Sequence, residues 1–244
     1  MFLKKVTLLK EKISSYKNYP FCVPVIKNLD ELNFKNNVTF FVGENGSGKS
    51  TLLESIADNC GFNLNGGNRN NVNVDNIDVS VLSSCIRLSW FPKVTNGFFL
   101  RAESFYNFAS YLDELNEQTE EDVYKSYGGI SLHEQSHGES FLSLFKNRFN
   151  SSDALYLLDE PEAALSPSGQ LVLLKILYDL SSKNNIQFII ATHSPILLGY
   201  PEATIFSFDG KCIEEIDYEM TNHYQVTKYF LENRKGMLTH LFDK

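Results

Sequence analysis

The stretch that decides the fold is Gly43-Glu44-Asn45-Gly46-Ser47-Gly48-Lys49-Ser50. It matches the pattern GxxxxGK[S/T], whose glycines let the backbone approach phosphate oxygens and turn successive N–H groups towards them. The β-rich run Val38–Val42 precedes the stretch, and Ser50–Asn59 follows it with apolar side chains at helical spacing. A chance glycine turn is the alternative, but strand, loop and helix in this order favour a phosphate-binding loop. The sequence therefore predicts that the chain binds a nucleoside triphosphate.

Each part of this loop has an expected role in binding ATP and Mg²⁺. The start of the following helix contributes about half a positive charge near the phosphates. We expect Lys49 to reach the terminal phosphates and Ser50 to bind Mg²⁺. The backbone from Gly43 to Ser50, together with Thr51, is expected to line the nucleotide phosphates.

A second apolar strand ends in two carboxylates. Ala154–Leu158 leads directly into Asp159-Glu160-Pro161. In phosphate-loop enzymes an acid at this strand end holds Mg²⁺, which makes Asp159 the second candidate metal ligand. Glu160 is then placed to polarise the attacking water, and general-base help of this kind contributes about 10²–10⁴ in rate. A strand capped by two solvated acids is the alternative, and it is plausible only for a strand taken in isolation.

The order of predicted elements indicates an α/β fold with a mostly parallel sheet. Phe188–Thr192 is a further buried-strand candidate, and Gly169–Leu180 between the two strands is helical. Thr204–Phe208 and Cys212–Ile216 are predicted to form a closing hairpin. Strands that alternate with helices are typical of parallel sheets covered by helices.

The remaining segments are expected to extend one domain that spans residues 1–244. Strand-like stretches at Phe2–Leu9 and Phe21–Ile26 open the chain, and Phe105–Leu115 has the pattern of an amphipathic helix. Residues 61–76 hold seven asparagines and three glycines, a loop composition that fits a binding loop or an insert.

Composition favours a globular, cytoplasmic chain. Its 244 residues are 43% hydrophobic and carry a formal net charge of −8, which argues against a broadly basic nucleic-acid surface. There is no run of about 18 apolar residues, so no membrane span is expected. The four cysteines form no CxxC pair and are expected to be reduced, structural thiols.

Three further stretches carry a family resemblance: Phe98–Ser104, Ser131–Ser140 and Ala191–Pro195. With them the chain resembles the ATP-binding-cassette (ABC-type) ATPases over nearly its whole length. It is similar in particular to the soluble branch of SMC- and RecF-like ATPases, and to small stand-alone bacterial predicted ATPases of AAA/ABC type. The resemblance implies an ABC-ATPase head with N-terminal antiparallel strands and a helical subdomain near residues 98–150.

The resemblance also implies that the site is shared between two copies. Gln135-Ser136-His137-Gly138-Glu139 is similar to the family's signature motif, LSGGQ or LSGGE. Ser136 and Gly138 would then contact the γ-phosphate of ATP held by a second copy, at the start of a helix over Glu139–Phe149. His137 stands where the family has a glycine, and a simple helix cap is the alternative interpretation of the segment.

Two other family elements are assigned by the same resemblance. His193 corresponds to the switch histidine, which hydrogen-bonds the γ-phosphate, and Ala163–Pro167 to a dimer-contact loop. A surface histidine is the alternative for His193. The family's subdomain glutamine is expected near Ser89–Pro92 but is absent there, and Glu103 is the candidate in its place.

The adenine-stacking residue is left open among aromatic residues upstream of the phosphate loop. The candidates are Tyr16, Tyr19 and Phe21, and packing in the core is an equal alternative for each.

The leading functional hypothesis is an ATP-hydrolysing homodimer that closes on ATP and opens after hydrolysis. Its work would be coupled to an unidentified protein partner or to nucleic acid, in DNA-related or defence machinery. The alternatives are the ATPase subunit of a membrane transporter and an ATP-sensing module with little turnover. The basic residues that hint at DNA binding are Arg69, Arg87, Lys93 and Arg101.

Overall fold

The computed structural model describes residues 1–64, 77–103, 105–118, 124, 129–131, 133, 137–148, 153–183 and 185–242. Over these residues the strands are β1 Leu3–Leu8, β2 Glu31–Asn33, β3 Val38–Val42, β4 Ile86–Trp90, β5 Asn96–Arg101, β6 Ala154–Asp159, β7 Ile186–Ala191, β8 Thr204–Ser207 and β9 Glu214–Glu215. The α-helices are α1 Pro24–Lys27, α2 Lys49–Cys60, α3 Ile77–Ser84, α4 Phe105–Gln118, α5 His137–Arg148, α6 Pro167–Lys183, α7 Pro195–Leu198, α8 Asn222–Glu232 and α9 Arg234–Phe242. Within the described part of the chain, none of the helices has the length and apolar character needed to cross a bilayer.

The central sheet has six strands in the order β5-β6-β7-β3-β8-β9. The first five are parallel to one another, and β9 pairs antiparallel with β8. The carboxyl ends of the parallel strands therefore meet at one edge of the sheet, which is where ligands bind in open α/β folds. The predicted α/β fold with a mostly parallel sheet and a closing hairpin is confirmed.

The strands of this sheet are apolar because both faces are covered. Along β3, Phe40 packs in the core beneath α4, α5 and α6, whereas the next residue, Phe41, packs in a second core with α2 and the N-terminal strands. Both side chains are fully buried. Alternation of neighbouring residues between two cores follows from the two-residue period of a strand, and it explains why these strands read as continuous apolar runs.

A smaller antiparallel sheet, β2-β1-β4, covers the second core. The side chain of Gln187 on β7 joins it to the central sheet. Its Oε1 accepts hydrogen bonds from the N–H groups of Phe2 and Leu3 at 2.9 and 2.8 Å, and its Nε2 donates to the carbonyl of Leu3 at 3.0 Å. The amide is fully buried and well partnered, as a polar group in a core must be. The expected N-terminal antiparallel strands are thus confirmed.

Two local predictions were wrong. Phe21–Ile26 contains no strand; it enters the short helix α1, where Pro24 occupies the first helical position that its fixed φ suits. Ser89 and Trp90 belong to the small sheet, so the strand preceding the helical region is β5 instead. The approximate subdomain range 98–150 stays a prediction; within it β5 extends to Arg101 and the helices start at Phe105. Of the asparagine-rich range 61–76, residues 65–76 lie outside the described part of the chain.

Candidate functional site

The loop between β3 and α2 brings its backbone close to neighbouring segments. Gly48 has a left-handed φ of +102°, and a Cβ there would lie 3.1 Å from a valine side chain. At Gly43 a Cβ would lie 3.0 Å from Oδ1 of Asp209, the same oxygen that accepts the N–H of Glu44 at 2.6 Å. Glycine is therefore required at both positions by space as well as by conformation.

The inside of this loop carries a buried amine and an unpartnered hydroxyl. Lys49 is 4% exposed, and its Nζ donates to the carbonyls of Gly43 at 2.6 Å and Glu44 at 3.0 Å. Burial lowers the pKa of Lys49, against the opposing effect of nearby carboxylates. Ser47 Oγ is buried without a hydrogen-bond partner among the described residues. A charged donor and an orphaned polar atom fit a phosphate group, which would satisfy both.

Ser50 and Asp159 meet beside the loop, as a shared Mg²⁺ site requires. Ser50 Oγ donates to Asp159 Oδ1 at 2.9 Å. Asp159 is 3% exposed, and burial raises its pKa to about 7. Hydroxyl and carboxylate oxygens suit Mg²⁺, which takes the rest of its ligands from water and phosphate. A metal would favour the ionised carboxylate that burial disfavours.

Arg101, at the end of β5, compensates the buried acids on this side. It contacts Glu54 of α2 at 2.8 Å, Glu103 at 2.5 Å and Asp159 at 3.7 Å. Burial also raises the pKa of Glu54, and the guanidinium opposes that effect. We call Ser50, Glu54, Arg101 and Asp159 the metal side of the site.

The other side of the loop is built around an imidazole. Glu160 follows β6 in a left-handed conformation (φ 50°), and it lines the same cleft as Asp159. Its Oε1 lies 3.5 Å from His193 Nε2. Glu162 accepts the backbone N–H of His193 at 2.5 Å, and His223 Nε2 lies 2.8 Å from His193 Nδ1. We call Glu160, Glu162, His193 and His223 the water side of the site.

An open cleft of about 660 Å³ adjoins the metal side and Glu160. Its wall includes the loop residues Asn45 and Gly46, together with Ala163 and Ala164. The volume falls within the range typical of ligand sites. A nucleotide's terminal phosphates at the phosphate loop would face this cleft.

Most of the signature segment lies outside the described residues. Ser136 is among the undescribed positions, and of His137 only the backbone, at the start of α5, is described. Gly138 is half-buried in the first turn of α5, where a Cβ would lie 3.5 Å from the carbonyl of Ala164. The structure thus places the described end of the segment against the predicted dimer-contact loop.

Residues 95–198 match the model of an AAA ATPase domain, and residues 12–83 match that of an AAA domain. The phosphate import ATP-binding protein PstB of Pseudoalteromonas translucida is 30% identical over 231 residues, which cover 83% of this chain and 81% of that protein. The chain belongs to the ABC-type ATPases.

Solved structures agree on the ABC-type fold. A nucleotide-free ATP-binding cassette from an ABC transporter aligns with a TM-score of 0.52 and 18% identity, over 96% of this chain and 97% of that one. An SMC head bound to the C-winged helix domain of ScpA aligns with a TM-score of 0.50 and 12% identity, over 88% and 98%. The same architecture therefore occurs in transporter cassettes and in SMC heads.

The candidates for the adenine site separate by burial. Phe21 is buried in the second core and Tyr16 packs against that core, as the alternative reading expected. Tyr19 is 52% exposed, and its hydroxyl hydrogen-bonds Thr51 Oγ1 at 2.7 Å. Of the three, Tyr19 is the one that presents a ring to solvent beside the nucleotide loop of this ABC-type ATPase.

The hint of a basic face does not hold for Arg101, whose guanidinium faces Glu54 and the site acids. Arg87 lies on β4 in the other sheet, and Arg69 is outside the described residues. The four basic residues thus do not form one described surface.

Sequence analysis missed the contacts of Glu162, Asp209 and His223. Each reaches the site from a segment with no local motif: a short turn, a hairpin and the start of α8. A carboxylate two positions after Glu160 was the only available signal for Glu162, and none pointed to His223, thirty positions after its partner.

Proposed function

We propose that the chain binds ATP with Mg²⁺ and hydrolyses it in a site completed by a second copy. The observation that carries the proposal is the meeting of a buried lysine, two consecutive acids and a histidine at one edge of the central sheet. Membership of the ABC-type ATPases supports it.

The roles follow from position and electrostatics. Ser50 and Asp159 would hold Mg²⁺, which supplies charge neutralisation to the β- and γ-phosphates when bound. Lys49 would reach the same phosphates because its Nζ lies inside the phosphate loop, where it donates to the carbonyl of Gly43. Glu160 is 45% exposed towards the cleft, so it can orient a water and accept its proton. His193 beside it would donate a hydrogen bond to the γ-phosphate.

The second copy would contribute Ser136 and Gly138. Within one chain the start of α5 lies at Ala164, beyond the cleft from the phosphate loop. A helix N-terminus presented across an interface would add N–H donors and the helix dipole to the γ-phosphate. We infer an ATP-dependent homodimer that closes on two nucleotides.

The test compares wild type with the Glu160→Gln variant. Phosphate release should fall by about 10²–10⁴ in the variant, the range for loss of a general base. Size-exclusion chromatography should show the variant as a dimer with Mg²⁺–ATP and as a monomer without nucleotide. Activity per chain should also rise with protein concentration.

A matched control is Glu232→Gln, an exposed acid on α8, which should leave all three measurements unchanged. A variant that releases phosphate at the wild-type rate would exclude Glu160 as the base. A monomer under all conditions would exclude the homodimer. ATP binding without turnover in wild type would favour the alternative of an ATP-sensing module.

A second candidate is the ATP-binding subunit of a transporter. The phosphate import protein PstB, similar over most of this chain, favours it. Co-purification of the native chain with an integral membrane protein, and ATPase activity that rises in that complex, would support it. Coupling to DNA or to a defence partner has no contact in its favour among the described residues and is not part of the proposal.

A further inference from the structure

The two imidazoles of the water side form a direct pair. His193 directly follows β7 and Thr192, whereas His223 is in the first turn of α8. His193 Nδ1 and His223 Nε2 are 2.8 Å apart, and the ring planes are tilted by 60°. At this distance one of the two nitrogens must donate a proton and the other accept it.

The surroundings of His193 decide which nitrogen donates. Its Nε2 is buried, has no hydrogen-bond partner in the described part of the chain and lies 3.5 Å from Glu160 Oε1. If Nδ1 carried the proton of a neutral ring, the lone pair on Nε2 would face a carboxylate and, with ATP bound, phosphate oxygens. If His223 donates instead, the proton of His193 is on Nε2 and points at those acceptors.

Burial is the main influence that favours the neutral form of His193. Burial lowers the pKa of His193, and Lys49 on α2 adds to this effect. Glu160 and Glu44 oppose it, and Glu162 receives the backbone N–H rather than the ring. A neutral ring has one N–H only, so the choice of tautomer matters.

The start of α8 holds His223 in place. Thr221 is fully buried and caps the helix by accepting the N–H of Tyr224 at 3.3 Å, while its hydroxyl donates to the carbonyl of Tyr218 at 2.8 Å. The rings of Tyr218 and Tyr224 pack against each other, 4.6 Å between centroids. Next to this cap, Asn222 reaches Glu44 of the phosphate loop at 3.3 Å.

We propose that His223 is a positioning residue: it donates to His193 Nδ1 and so holds the ring with its Nε2–H directed at Glu160 and the γ-phosphate. The effect of His223 on turnover rests on the proposed ATPase function, whereas the tautomer of His193 does not depend on it. At metal sites, a residue that fixes the tautomer of a ligating histidine contributes about 10- to 100-fold to metal affinity or activity.

The direct test is ¹⁵N NMR of the imidazole nitrogens, with His193 assigned from a His193→Gln variant. Wild type at about pH 8, above the ordinary histidine pKa, should show His193 protonated on Nε2. His223→Leu, which cannot donate, should show a mixture of tautomers. A wild-type signal from the Nδ1–H form would overturn the inference, whether or not the protein hydrolyses ATP.

The kinetic test uses His223→Leu and His223→Gln, since a glutamine amide can donate from nearly the same place. Turnover at saturating ATP should fall about tenfold in His223→Leu with KM for ATP little changed, and His223→Gln should recover most of it. His240→Leu on the exposed face of α9 is the matched control and should behave as wild type.

The pH profile separates a tautomer effect from a merely structural one. Below the pKa of His193 the ring carries both protons, so Nε2–H is present with or without His223. Burial lowers this pKa, so the deficit of His223→Leu should shrink only as the pH falls to where the ¹⁵N spectrum shows both nitrogens of His193 protonated. A deficit that persists with both nitrogens protonated, or that is absent near pH 8, would overturn the positioning role. Wild type without turnover would refute the proposed function alone, because the NMR result still tests the tautomer.

Discussion

The metal side and the water side of the site border the same loop but are built in opposite ways. On the metal side, two buried carboxylates share one guanidinium, and Asp159 is 3% exposed with its pKa raised to about 7 by burial. On the water side, Glu160 is 45% exposed, and it faces an imidazole rather than a fixed charge. Burial of charge on the metal side therefore costs stability, whereas on the water side the position of the His193 proton depends on its hydrogen-bond partners.

The difference shows how two consecutive residues acquire different chemistry. Asp159 ends β6, so the sheet fixes it inside the fold. Glu160 follows the strand with a left-handed backbone, and its side chain is 45% exposed where it lines the cleft. Burial disfavours the ionised form of Asp159, which a bound cation would restore, whereas an acid that must meet water has to stay exposed.

The largest effect on stability is expected for Asp159→Asn, which removes the buried charge from the metal side and so tests the contrast between the two sides. The pKa of Asp159 is higher in the folded chain (about 7) than its ordinary value of 3.8. The folded state therefore binds this proton more tightly, and it loses stability as the pH rises from about 4 to about 7. The variant should be up to about 4 kcal/mol more stable than wild type near pH 8 and equal to it near pH 4, since each unit of pKa difference is worth about 1.4 kcal/mol.

Thermal unfolding without nucleotide, over this pH range, measures the effect. Adding Mg²⁺–ATP should stabilise wild type more than the variant, because the carboxylate is the proposed metal ligand. Asp217→Asn, at an exposed position, should give no gain at either pH. Equal stability of wild type and Asp159→Asn near pH 8 would mean that the burial of Asp159 carries no such cost.

A smaller effect, this time a loss of stability, is expected for Arg101→Leu. This variant leaves Glu54 and Asp159 without their shared cation. Breaking a buried pair costs about 3–5 kcal/mol, and because Arg101 is 34% exposed we expect about 2 kcal/mol. The double variant Glu54→Leu/Arg101→Leu should recover the part of this loss that comes from Glu54, the closer partner of Arg101, whereas Asp159 stays unpaired. Urea unfolding measures both, and a double variant as unstable as the single one would argue against charge pairing as the cause.

The smallest effect is expected on the water side, for Glu162→Gln. Burial raises the pKa of Glu162, so its ionised form costs stability as the pH rises above the ordinary value for a glutamate. Glutamine keeps an oxygen for the His193 N–H and places an amide at Oε2, which has no partner among the described residues. A gain of up to about 1 kcal/mol at neutral pH should disappear near pH 4, as judged by urea midpoints. A marked loss at neutral pH would instead show that the charge of Glu162 is needed.

Sequence alone predicted the parts of this molecule that depend on local pattern. The glycine loop, the strand before it and the two acids at the end of β6 were all identified. Their backbone conformation and strand period determine the types of adjacent residues, so the sequence pattern shows them. The family and the fold class were also predicted and are confirmed. The roles of the site residues stay predictions.

What could not be predicted depends on contacts between distant segments. Arg101 was read as part of a basic face, yet it compensates Glu54, because β5 and α2 meet only in the folded sheet. Phe21–Ile26 was read as a strand from its apolar pattern, whereas Pro24 begins a helix there. The pairing of His193 with His223 required the return of the chain after β9, for which no residue pattern exists.

The amide of Gln187 has a consequence for hydrogen exchange. The N–H groups of Phe2 and Leu3 lie at the beginning of β1, and amides at the ends of strands ordinarily exchange faster than those inside a sheet. Here both donate to one buried oxygen on β7, in the middle of the central sheet. They can exchange only when the two sheets separate, so their protection factors should match those of the strand interior, and deuterium uptake at these two positions would report the opening of the whole domain.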